Sequence, residues 1–451
     1  MKIYLSLKKS RIRLFVSLYV VLIAWSVSCK KTTVAFEIGP TAPSVESNLN
    51  DIPKLPIDTV PSDARVYLVG SGVGDLTIDG SNFNCDLNIF IKIKGGKYNT
   101  ITIKNCIAGP KTKIFIKNDG EVKISEAMYT NNLSNVTISG DNVENLTYGI
   151  KFENIPYRAI SMHGKMNGVT LRNLSFHNVE NYVIAGERSN GADLEYNGFP
   201  ETRTENFKIL KCYFENAAQI NFGGRLNKDT GGDSGLFKDV EIAFNTFQNT
   251  PNAGNVCTFS NVQDYNIHSN TLNNINGENN NHNGIFHMQG NGNFHHNKLT
   301  NYQGNAIRMW LYSRGDRPMT NEIYQNICYN TRKYGAFELQ SFDSHFIDGK
   351  TTFANAKVYN NTVGKMNTSK DWDGQILDLY NTRGTLEYYN NLGFELISTR
   401  SNTIGNMINN MSDTPIIKEQ NNLYFSNYDG AVNNITDLVS KFPGVGAVPV
   451  K

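Results

Sequence analysis

The chain has 451 residues, of which 39% are hydrophobic and 19% charged, and carries a formal net charge of +2. Its first 28 residues hold five basic and no acidic side chains, so the remainder carries about −3 and offers no basis for nucleic-acid binding. The five cysteines after Cys29 are widely spaced without a CxxC pair, which argues against a disulfide framework and a zinc site.

Residues 1–28 are predicted to be an export signal, because basic residues precede an apolar run from Leu14 to Trp25. This run of about 12 residues is too short to cross a bilayer comfortably. Cys29 follows small residues and resembles the lipidated cysteine of a bacterial lipoprotein, although Ser26 stands where such proteins usually have leucine. The resemblance implies a lipid anchor in the bacterial outer membrane, on its periplasmic or surface side. Plain secretion and a retained signal anchor are the alternatives.

Residues 29–64 are predicted to be a flexible tether that holds the folded part off a membrane. This segment contains few aromatic residues and five prolines, at positions 40, 43, 53, 56 and 61.

A ten-residue motif recurs eight times, and its copies begin 25 to 38 residues apart. Such a period indicates a solenoid whose coils differ in loop length. The copies are VTLRNLSFHN from Val169, FKILKCYFEN from Phe207, VEIAFNTFQN from Val240, YNIHSNTLNN from Tyr265, GNFHHNKLTN from Gly292, NEIYQNICYN from Asn321, AKVYNNTVGK from Ala356 and TLEYYNNLGF from Thr385.

The sixth position of the motif is asparagine in six consecutive copies, at 245, 270, 297, 326, 361 and 390. An asparagine between two short strands can adopt the left-handed conformation that bends the chain. Amides stacked in register can also hydrogen bond along the stack. The motif therefore predicts two strands around a corner that carries an asparagine ladder. Its third position is apolar except for Glu387 in the last copy, and Cys212 and Cys328 are expected to be buried thiols.

This pattern resembles the right-handed parallel β-helix of the pectate-lyase-like superfamily, whose coils have three short strands and an asparagine ladder at one tight turn. The resemblance covers residues 65–425 and implies an all-β solenoid, followed by a C-terminal cap over residues 426–451. The stretch AVNNITDLVSKF from Ala431 has the apolar spacing of a short helix. A leucine-rich repeat is the rival, but the inward positions mix Ile, Phe, Val and Cys.

Seven short segments that precede the motifs are expected to form the third strand of each coil. Alternation turns their apolar residues inward and the residues between them outward. Because parallel strands stack about 4.8 Å apart, the outward residues form two columns. The first column is Ser161, Asn221, Thr258, His287, Arg308, Glu338 and Asp378, and the second is His163, Gly223, Ser260, Gln289, Trp310, Gln340 and Tyr380.

These columns predict a carbohydrate groove. The rings of Trp310 and Tyr380 can pack on sugar rings, while the amides of Gln340, Gln289 and Asn221 bind hydroxyl groups. Long segments on both sides are expected to form its walls: 187–206, 223–239, 313–320 and 342–355 on one side, and 275–283 and 366–374 on the other.

Two chemistries fit the ionisable residues Glu338, Asp378, Arg308 and His287. Two carboxyl groups one rung apart cannot both ionise freely, so one pKa should rise, as the general acid of a glycoside hydrolase requires. Their spacing would be near the ~5 to 5.5 Å of retaining enzymes. Alternatively the two carboxylates hold Ca²⁺, with Asp371 or Asp373, while Arg308 and His287 bind an acidic sugar. That arrangement resembles the polysaccharide lyases of this fold.

Simpler interpretations stay open. An outward carboxylate is usually only solvated, and Arg308 could merely pair with Glu338. The same groove also suits a non-catalytic glycan-binding protein or adhesin, and the solenoid could be a structural stalk. His163 is expected to be structural or to form a wall of the groove, and His268, His295 and His296 are expected to face solvent away from the groove.

Overall fold

The computed structural model describes residues 53–187, 193–226, 232–341, 353–380, 382–397 and 407–448. Successive coils stack through parallel strand pairs along this whole length, so the predicted all-β parallel β-helix is confirmed. We call the three flanks of the solenoid face A, which holds the strand before the asparagine corner, face B, which holds the strand after it, and face C, which holds the third strand. Coils with three strands exclude the leucine-rich repeat.

The strands in the first part of the chain are long, because several pass around a corner without a break. They are β1 (Arg65–Val69), β2 (Val73–Asp79), β3 (Ile89–Lys104), β4 (Ile114–Ser134), β5 (Val136–Ser139), β6 (Ile150–Ile155), β7 (Ile160–Asn167), β8 (Thr170–Arg172), β9 (Leu174–Glu187), β10 (Thr204–Leu210) and β11 (Tyr213–Phe222). A small antiparallel hairpin follows, formed by β12 (Arg225–Leu226) and β13 (Asp233–Ser234).

The later coils consist mostly of shorter strands. They are β14 (Phe237–Ala243), β15 (Thr246–Thr250), β16 (Cys257–His268), β17 (Thr271–Ile275), β18 (Gly284–His295), β19 (Lys298–Tyr302), β20 (Asn305–Leu311), β21 (Thr320–Tyr324), β22 (Ile327–Thr331), β23 (Phe337–Ser341), β24 (Asn355–Tyr359), β25 (Thr362–Met366), β26 (Leu377–Tyr380), β27 (Leu386–Tyr389), β28 (Leu392–Leu396), β29 (Ile408–Asn410), β30 (Ile416–Gln420) and β31 (Leu423–Phe425).

Helix is scarce in the described residues. Two 3₁₀ turns span Gly80–Asn82 and Pro200–Thr202, and the single α-helical turn α1 spans Tyr428–Ala431. None of these helices is long or apolar enough to cross a membrane.

The interior is a column of stacked apolar side chains, in which each coil places its residues over those of the coil before. Phe152, Phe176, Phe214 and Phe247 stack with ring centroids 4.4 to 5.0 Å apart. The predicted burial of the cysteine side chains holds for Cys106, Cys212, Cys257 and Cys328, whereas Cys85 is partly exposed.

The asparagine ladder occupies the corner between faces A and B. Its amides belong to Asn245, Asn270, Asn297, Asn326, Asn361, Asn391 and Asn422. Asn297 Oδ1 accepts hydrogen bonds from the backbone N–H of Asn270 (3.1 Å) and from its Nδ2 (3.0 Å), and Asn270 Nδ2 also donates to the carbonyl of Ile242 (2.8 Å). The same pattern repeats from coil to coil, so the ladder amides from Asn245 to Asn391 bond to both the preceding and the following coil, whereas Asn422 at the end bonds to the preceding one.

Two details of the predicted corner are wrong. The last copy of the motif begins one residue later than predicted, so Asn391 rather than Asn390 joins the ladder and Tyr388 rather than Glu387 pairs with Val358. The left-handed residue is also the one before each ladder asparagine. These residues are Phe244, Ser269, His296, Gln325, Asn360, Asn390 and Asn421, with φ between 52° and 59°. This conformation costs about 1–2 kcal/mol in a residue other than glycine, which the buried ladder offsets.

A second left-handed column lies at the exposed end of face B. Its members are Asn154, Asn178, Asn216, Asn249, Asn274, Asn301 and Asn330, with φ between 45° and 61°. Their amides also bond to neighbouring coils, for example Asn216 to Asn178 (3.0 Å). Lys365 and Glu395 adopt the same conformation in the last coils, which shows that this corner does not require an amide.

The prediction that His268, His295 and His296 face solvent is wrong. They lie on face A, away from face C as expected, but they are buried. The rings of His268 and His295 belong to one stack, with centroids 4.9 Å apart, which Tyr324, Tyr359 and Tyr389 extend. Stacking from coil to coil covers side chains that would be exposed on an isolated strand.

The helix predicted from Ala431 is also wrong. The helical turn α1 ends at Ala431, and the following residues fold back along the outside of face B. There Leu438 and Ala447 pack on Leu392 and Phe394, and the backbone N–H of Ala447 donates to Thr362 Oγ1 (2.8 Å). The apolar residues of this segment thus pack an irregular segment against face B rather than one face of a helix.

Residues 53–64 lie against the solenoid, although they were predicted to belong to the tether. Asp58 pairs with Lys113 (2.7 Å), and Arg172 donates to the carbonyl of Pro56. The export signal, Cys29 and the tether before residue 53 lie outside the described residues and stay predictions.

Candidate functional site on face C

Face C brings the first predicted column into register. Thr258 pairs with His287, His287 with Arg308, Arg308 with Glu338, and Glu338 with Asp378. The second column is in register as well, where Gln289, Trp310, Gln340 and Tyr380 follow one another. Asn221 lies one coil before Thr258 and pairs with Ala185 on its other side, so Ala185 occupies the coil between Ser161 and Asn221.

Glu338 is the centre of the site, and its side chain is 0% exposed. One carboxylate oxygen, Oε1, accepts from Arg308 Nε, and the other, Oε2, lies 3.0 Å from His282 Nε2. Burial alone would raise the pKa of Glu338, but the hydrogen bond from His282 and the charge of Arg308 outweigh it and hold this pKa below its ordinary value. Glu338 is therefore an ionised, buried carboxylate that orients two groups at the surface.

His282 was not predicted as a site residue. It lies in the wall segment 275–283 before β18, where strand alternation gives no information about the direction of a side chain. Its Nε2 lies 3.0 Å from Asn305 Oδ1 as well as from Glu338. Both neighbours are acceptors, so Nε2 carries the proton and the lone pair of the neutral ring is on Nδ1. The one sequence feature that could have pointed to His282 is its position in a loop that borders the predicted groove.

Asp378 differs from Glu338 although it lies on the next rung. Its Oδ1 accepts from Gln375 Nε2 and from Asn409 Nδ2 (2.9 Å), and its carboxyl group is buried. Burial raises the pKa of Asp378 to about 6, with a further contribution from the negative charge of Glu338. The two carboxyl groups thus have pKa values that move apart, as predicted for adjacent rungs. Neither reaches the surface, however, so direct contact with a sugar is not favoured for either.

His287 and Trp310 form the floor beside Arg308. Their rings make an edge-to-face contact at 5.0 Å. Burial and the neighbouring charge of Arg308 lower the pKa of His287 to about 4, so its imidazole is neutral at neutral pH. Trp310, Gln340 and Tyr380 are all partly exposed, and Gln289 is buried.

An aromatic cluster stands over the His282 side of face C. The His282 ring stacks on Tyr334 at 4.1 Å, and Tyr334 contacts Trp372 at 5.3 Å. Lys333 Nζ lies 5.4 Å from the centroid of Tyr334 and 5.8 Å from that of Trp372. These residues come from three successive loops, so the wall predicted from segments 275–283 and 366–374 is completed by residues 332–336.

The opposite edge of face C carries a second wall. Arg314 Nη2 donates to Asp233 Oδ1 (2.8 Å) and to Asn261 Oδ1 (3.0 Å), and its guanidinium lies 5.1 Å from the Tyr196 ring. These contacts join the loop after β20 to loops from two earlier coils. The groove predicted from loop lengths therefore has walls on both sides, although segment 342–352 lies outside the described residues.

The predicted Ca²⁺ site is not supported by the positions of its ligands. Glu338 Oε1 accepts from Arg308 and Oε2 lies beside His282 Nε2, so a cation at this carboxylate would be repelled by the guanidinium. Asp371 pairs with Lys333 (3.1 Å) instead. Within the described ranges, no group of three or more His, Cys, Asp or Glu side chains could hold a metal ion.

Comparison with known proteins gives similarity of fold alone. No protein-family model matches the chain, and no curated protein matches its sequence. A PL6 family polysaccharide lyase from Pseudopedobacter saltans is similar in structure over 83% of this chain and 97% of that chain, with 12% identity and a TM-score of 0.43. Pectate lyase Pel9A is similar over 82% of this chain and 88% of its own, with 9% identity and a TM-score of 0.31.

The catalytic domain of a GH87 α-1,3-glucanase is similar over 72% of this chain and 62% of that chain, with 12% identity and a TM-score of 0.26.

Proposed function

We propose that this protein is a polysaccharide lyase that cleaves an acidic glycan on face C by β-elimination. The observation that carries the proposal is the position of Glu338, which is fully buried between Arg308 and His282. The groups left at the surface are a guanidinium and an imidazole, whose side chains are 25% and 27% exposed.

In this proposal Arg308 binds the carboxylate of a uronate unit, because a guanidinium matches that group in charge and shape. Neutralising the carboxylate acidifies the adjacent C–H bond. His282 Nδ1 takes that proton, the electrons of the C–H bond form a carbon–carbon double bond, and the glycosidic oxygen leaves. The imidazolium then returns the proton to the leaving oxygen or to water. Glu338 is a positioning residue that fixes the tautomer of His282 and the orientation of Arg308.

Hydrolysis is the weaker candidate on this geometry. A glycoside hydrolase of the usual type needs two carboxyl groups beside the scissile bond, and here both are buried. The raised pKa of Asp378 is the observation that favours hydrolysis, since a general acid needs such a value. Simple glycan binding is favoured by Tyr334 and Trp372 beside Lys333, which suit a sugar ring that carries a negative charge.

The test is an activity screen of the purified chain on polygalacturonate, alginate and neutral polysaccharides. Ultraviolet absorbance of the unsaturated product reports elimination, and release of reducing ends without that absorbance reports hydrolysis. Binding without either product would identify a glycan-binding protein instead.

Two variants test the assigned roles. His282→Ala should lower the elimination rate by about 10²-fold or more, the usual contribution of a general base. Glu338→Gln should also lower the rate, because it replaces the carboxylate that faces His282 Nε2 and Arg308 Nε by an amide, one end of which is a donor. His296→Gln on face A is the matched control and should leave the rate unchanged. Full elimination activity in His282→Ala would show that the site is wrongly assigned.

We also propose that the protein is exported and anchored by a lipid on Cys29. The basis is the sequence before that residue, where a basic segment, an apolar run and small residues follow one another. Cys29→Ser should move the protein from the membrane fraction to the soluble fraction and abolish incorporation of labelled palmitate. Unchanged membrane association would favour a retained signal anchor.

A further inference from the structure

We infer that a second polar cavity on face C binds another acidic sugar unit of the same glycan chain. This inference rests on the proposed function. The cavity has a volume of about 190 Å³, and its polar lining consists of Arg158, His163, Tyr182, Glu187, Asp193 and Asn221. We call it the distal pocket.

The distal pocket exists because small residues stand where other coils place large side chains. Ala185 and Gly223 line it, whereas the corresponding positions of later coils hold Arg308 and Trp310. Gly186 also borders it but belongs to the inward column, where it pairs with Phe222, and a Cβ there would lie 2.5 Å from the Phe222 ring. On the groove side, a Cβ on Gly223 would lie 2.9 Å from Asp193 Oδ2. The side chain of Asp193 thus bounds the hollow at Gly223.

The charged groups of the distal pocket do not neutralise one another. Arg158 makes no ion pair with any described residue, and its Nε is buried without a hydrogen-bond acceptor. His163 Nδ1 is buried without a partner too. Buried polar atoms without partners destabilise the unliganded fold, so a ligand that supplies acceptors would recover this free energy. Glu187 likewise has no cationic partner among the described residues.

The chemistry of the lining indicates a carboxylated sugar. The Arg158 guanidinium lies 5.0 Å from the Tyr157 ring and 5.1 Å from the Tyr182 ring. A cation between aromatic rings offers charge to a carboxylate and apolar surface to the sugar ring. The Glu187 carboxylate can accept hydrogen bonds from hydroxyl groups, and the Asn221 amide can both accept and donate them. Lys333 between Tyr334 and Trp372 repeats this arrangement beside His282.

The distal pocket and Arg308 belong to one continuous surface. Asn221, Thr258, His287 and Arg308 follow one another in register on face C. Three steps of about 4.8 Å place Arg308 roughly 14 Å from Asn221, a distance that a short oligosaccharide can span. The wall is continuous as well, because Asp193 accepts from the backbone N–H of Gly224 and Asp233 of the following hairpin pairs with Arg314.

The experiment compares Arg158→Met with the wild type, as the full chain, on a long polymer and on its shortest cleaved oligosaccharide. We expect the KM for the polymer to rise about tenfold or more, the effect of one lost charge-assisted contact of ~1.5 kcal/mol. Cleavage of the short oligosaccharide should be unchanged, because it cannot reach the distal pocket. Arg65→Met, on β1 of face A, is the control and should behave as wild type.

Equal loss on both substrates, or no loss on either, would overturn the inference. If Arg158→Met does not fold, Asn221→Ala replaces it and should raise the KM for the polymer alone, because the amide that lines the pocket is lost. The outcome is separable from that of the proposed function: if nothing is cleaved, affinity electrophoresis in polygalacturonate and alginate still compares retardation of wild type and Arg158→Met. Retardation that the variant loses would support the pocket without the lyase, and equal mobility of the two proteins would refute it.

Discussion

The asparagine corner and the face C groove are built from the same coils but treat buried polar groups in opposite ways. At the corner an amide bonds to the preceding and the following coil, as Asn270 does to Ile242 and to Asn297. In the groove His163 Nδ1, Arg158 Nε and His287 Nε2 are buried without partners, and Asp378 is buried with a raised pKa. In this solenoid the asparagine corner therefore stabilises the fold, whereas face C contains buried polar groups that are unfavourable without a ligand.

The largest effect is expected from Asn297→Leu at the centre of the ladder. The leucine would remove the acceptor of the Asn270 backbone N–H, one of the two acceptors of Asn270 Nδ2, and the amide donor to the carbonyl of Ile267. At about 1–3 kcal/mol for each unsatisfied group, the free energy of unfolding should fall by roughly 3–5 kcal/mol. Urea unfolding followed by circular dichroism measures this loss. A change below 1 kcal/mol would show that the ladder does not carry the stability assigned to it.

Asp378→Asn should raise the free energy of unfolding rather than lower it. The pKa of Asp378 is about 6 in the fold against an ordinary value of 3.8, so the folded state holds the proton more tightly. The group therefore costs nothing below about pH 4, and stability falls as pH rises to about 6 and stays lower above it. Asparagine cannot ionise, so the variant should gain up to about 3 kcal/mol at pH 8. Thermal unfolding at both pH values measures this, and a variant less stable at pH 8 would contradict it.

Arg314→Met tests the groove wall, and its expected effect on the free energy of unfolding is smaller. Its contacts with Asp233 and Asn261 are partly exposed, so their loss should cost about 1–2 kcal/mol or less. Because the wall is shared, binding of a long glycan should weaken more than stability falls. Parallel measurements of the unfolding midpoint and of polymer retardation in gels compare the two. A large drop in the unfolding midpoint with unchanged retardation would show that this contact stabilises the fold, as the asparagine corner does, and does not contribute to glycan binding.

The smallest effect is expected from Asn301→Gly in the exposed left-handed column. Glycine adopts φ near 55° without strain, and the surface amide bonds it removes are solvated. The change in the free energy of unfolding should stay below about 1 kcal/mol. Comparison with Asn297→Leu then separates buried from exposed ladders, and equal losses would refute the distinction.

The sequence predicted the parts of the molecule that repeat. Stacking in register follows from the period, so the columns through Arg308, Glu338 and Asp378 could be assigned before any coordinates. The one-residue error at Asn390 arose because two adjacent asparagines satisfy the pattern equally well. The burial of His295 could not be predicted from its own strand, since rings from neighbouring coils cover it.

The parts that do not repeat could not be predicted. His282 and Tyr334 come from loops of unrelated sequence, and their contact depends on how two loops fold over the same edge. The distal pocket depends on small residues at Ala185 and Gly223, which a search for chemically active residues does not detect. The helix expected from Ala431 failed for a similar reason, because packing against face B overrides the local spacing.

The ladder links residues that are 25 to 35 positions apart in the chain, yet the geometry of each link is the same. Insertions and deletions outside the corners therefore change only the loop in which they occur, and the strand pairing of neighbouring coils stays the same. Each wall loop can lengthen, shorten or change composition as an independent module. A descendant protein could acquire a new glycan preference by exchanging one loop while the remaining rungs stay where they are.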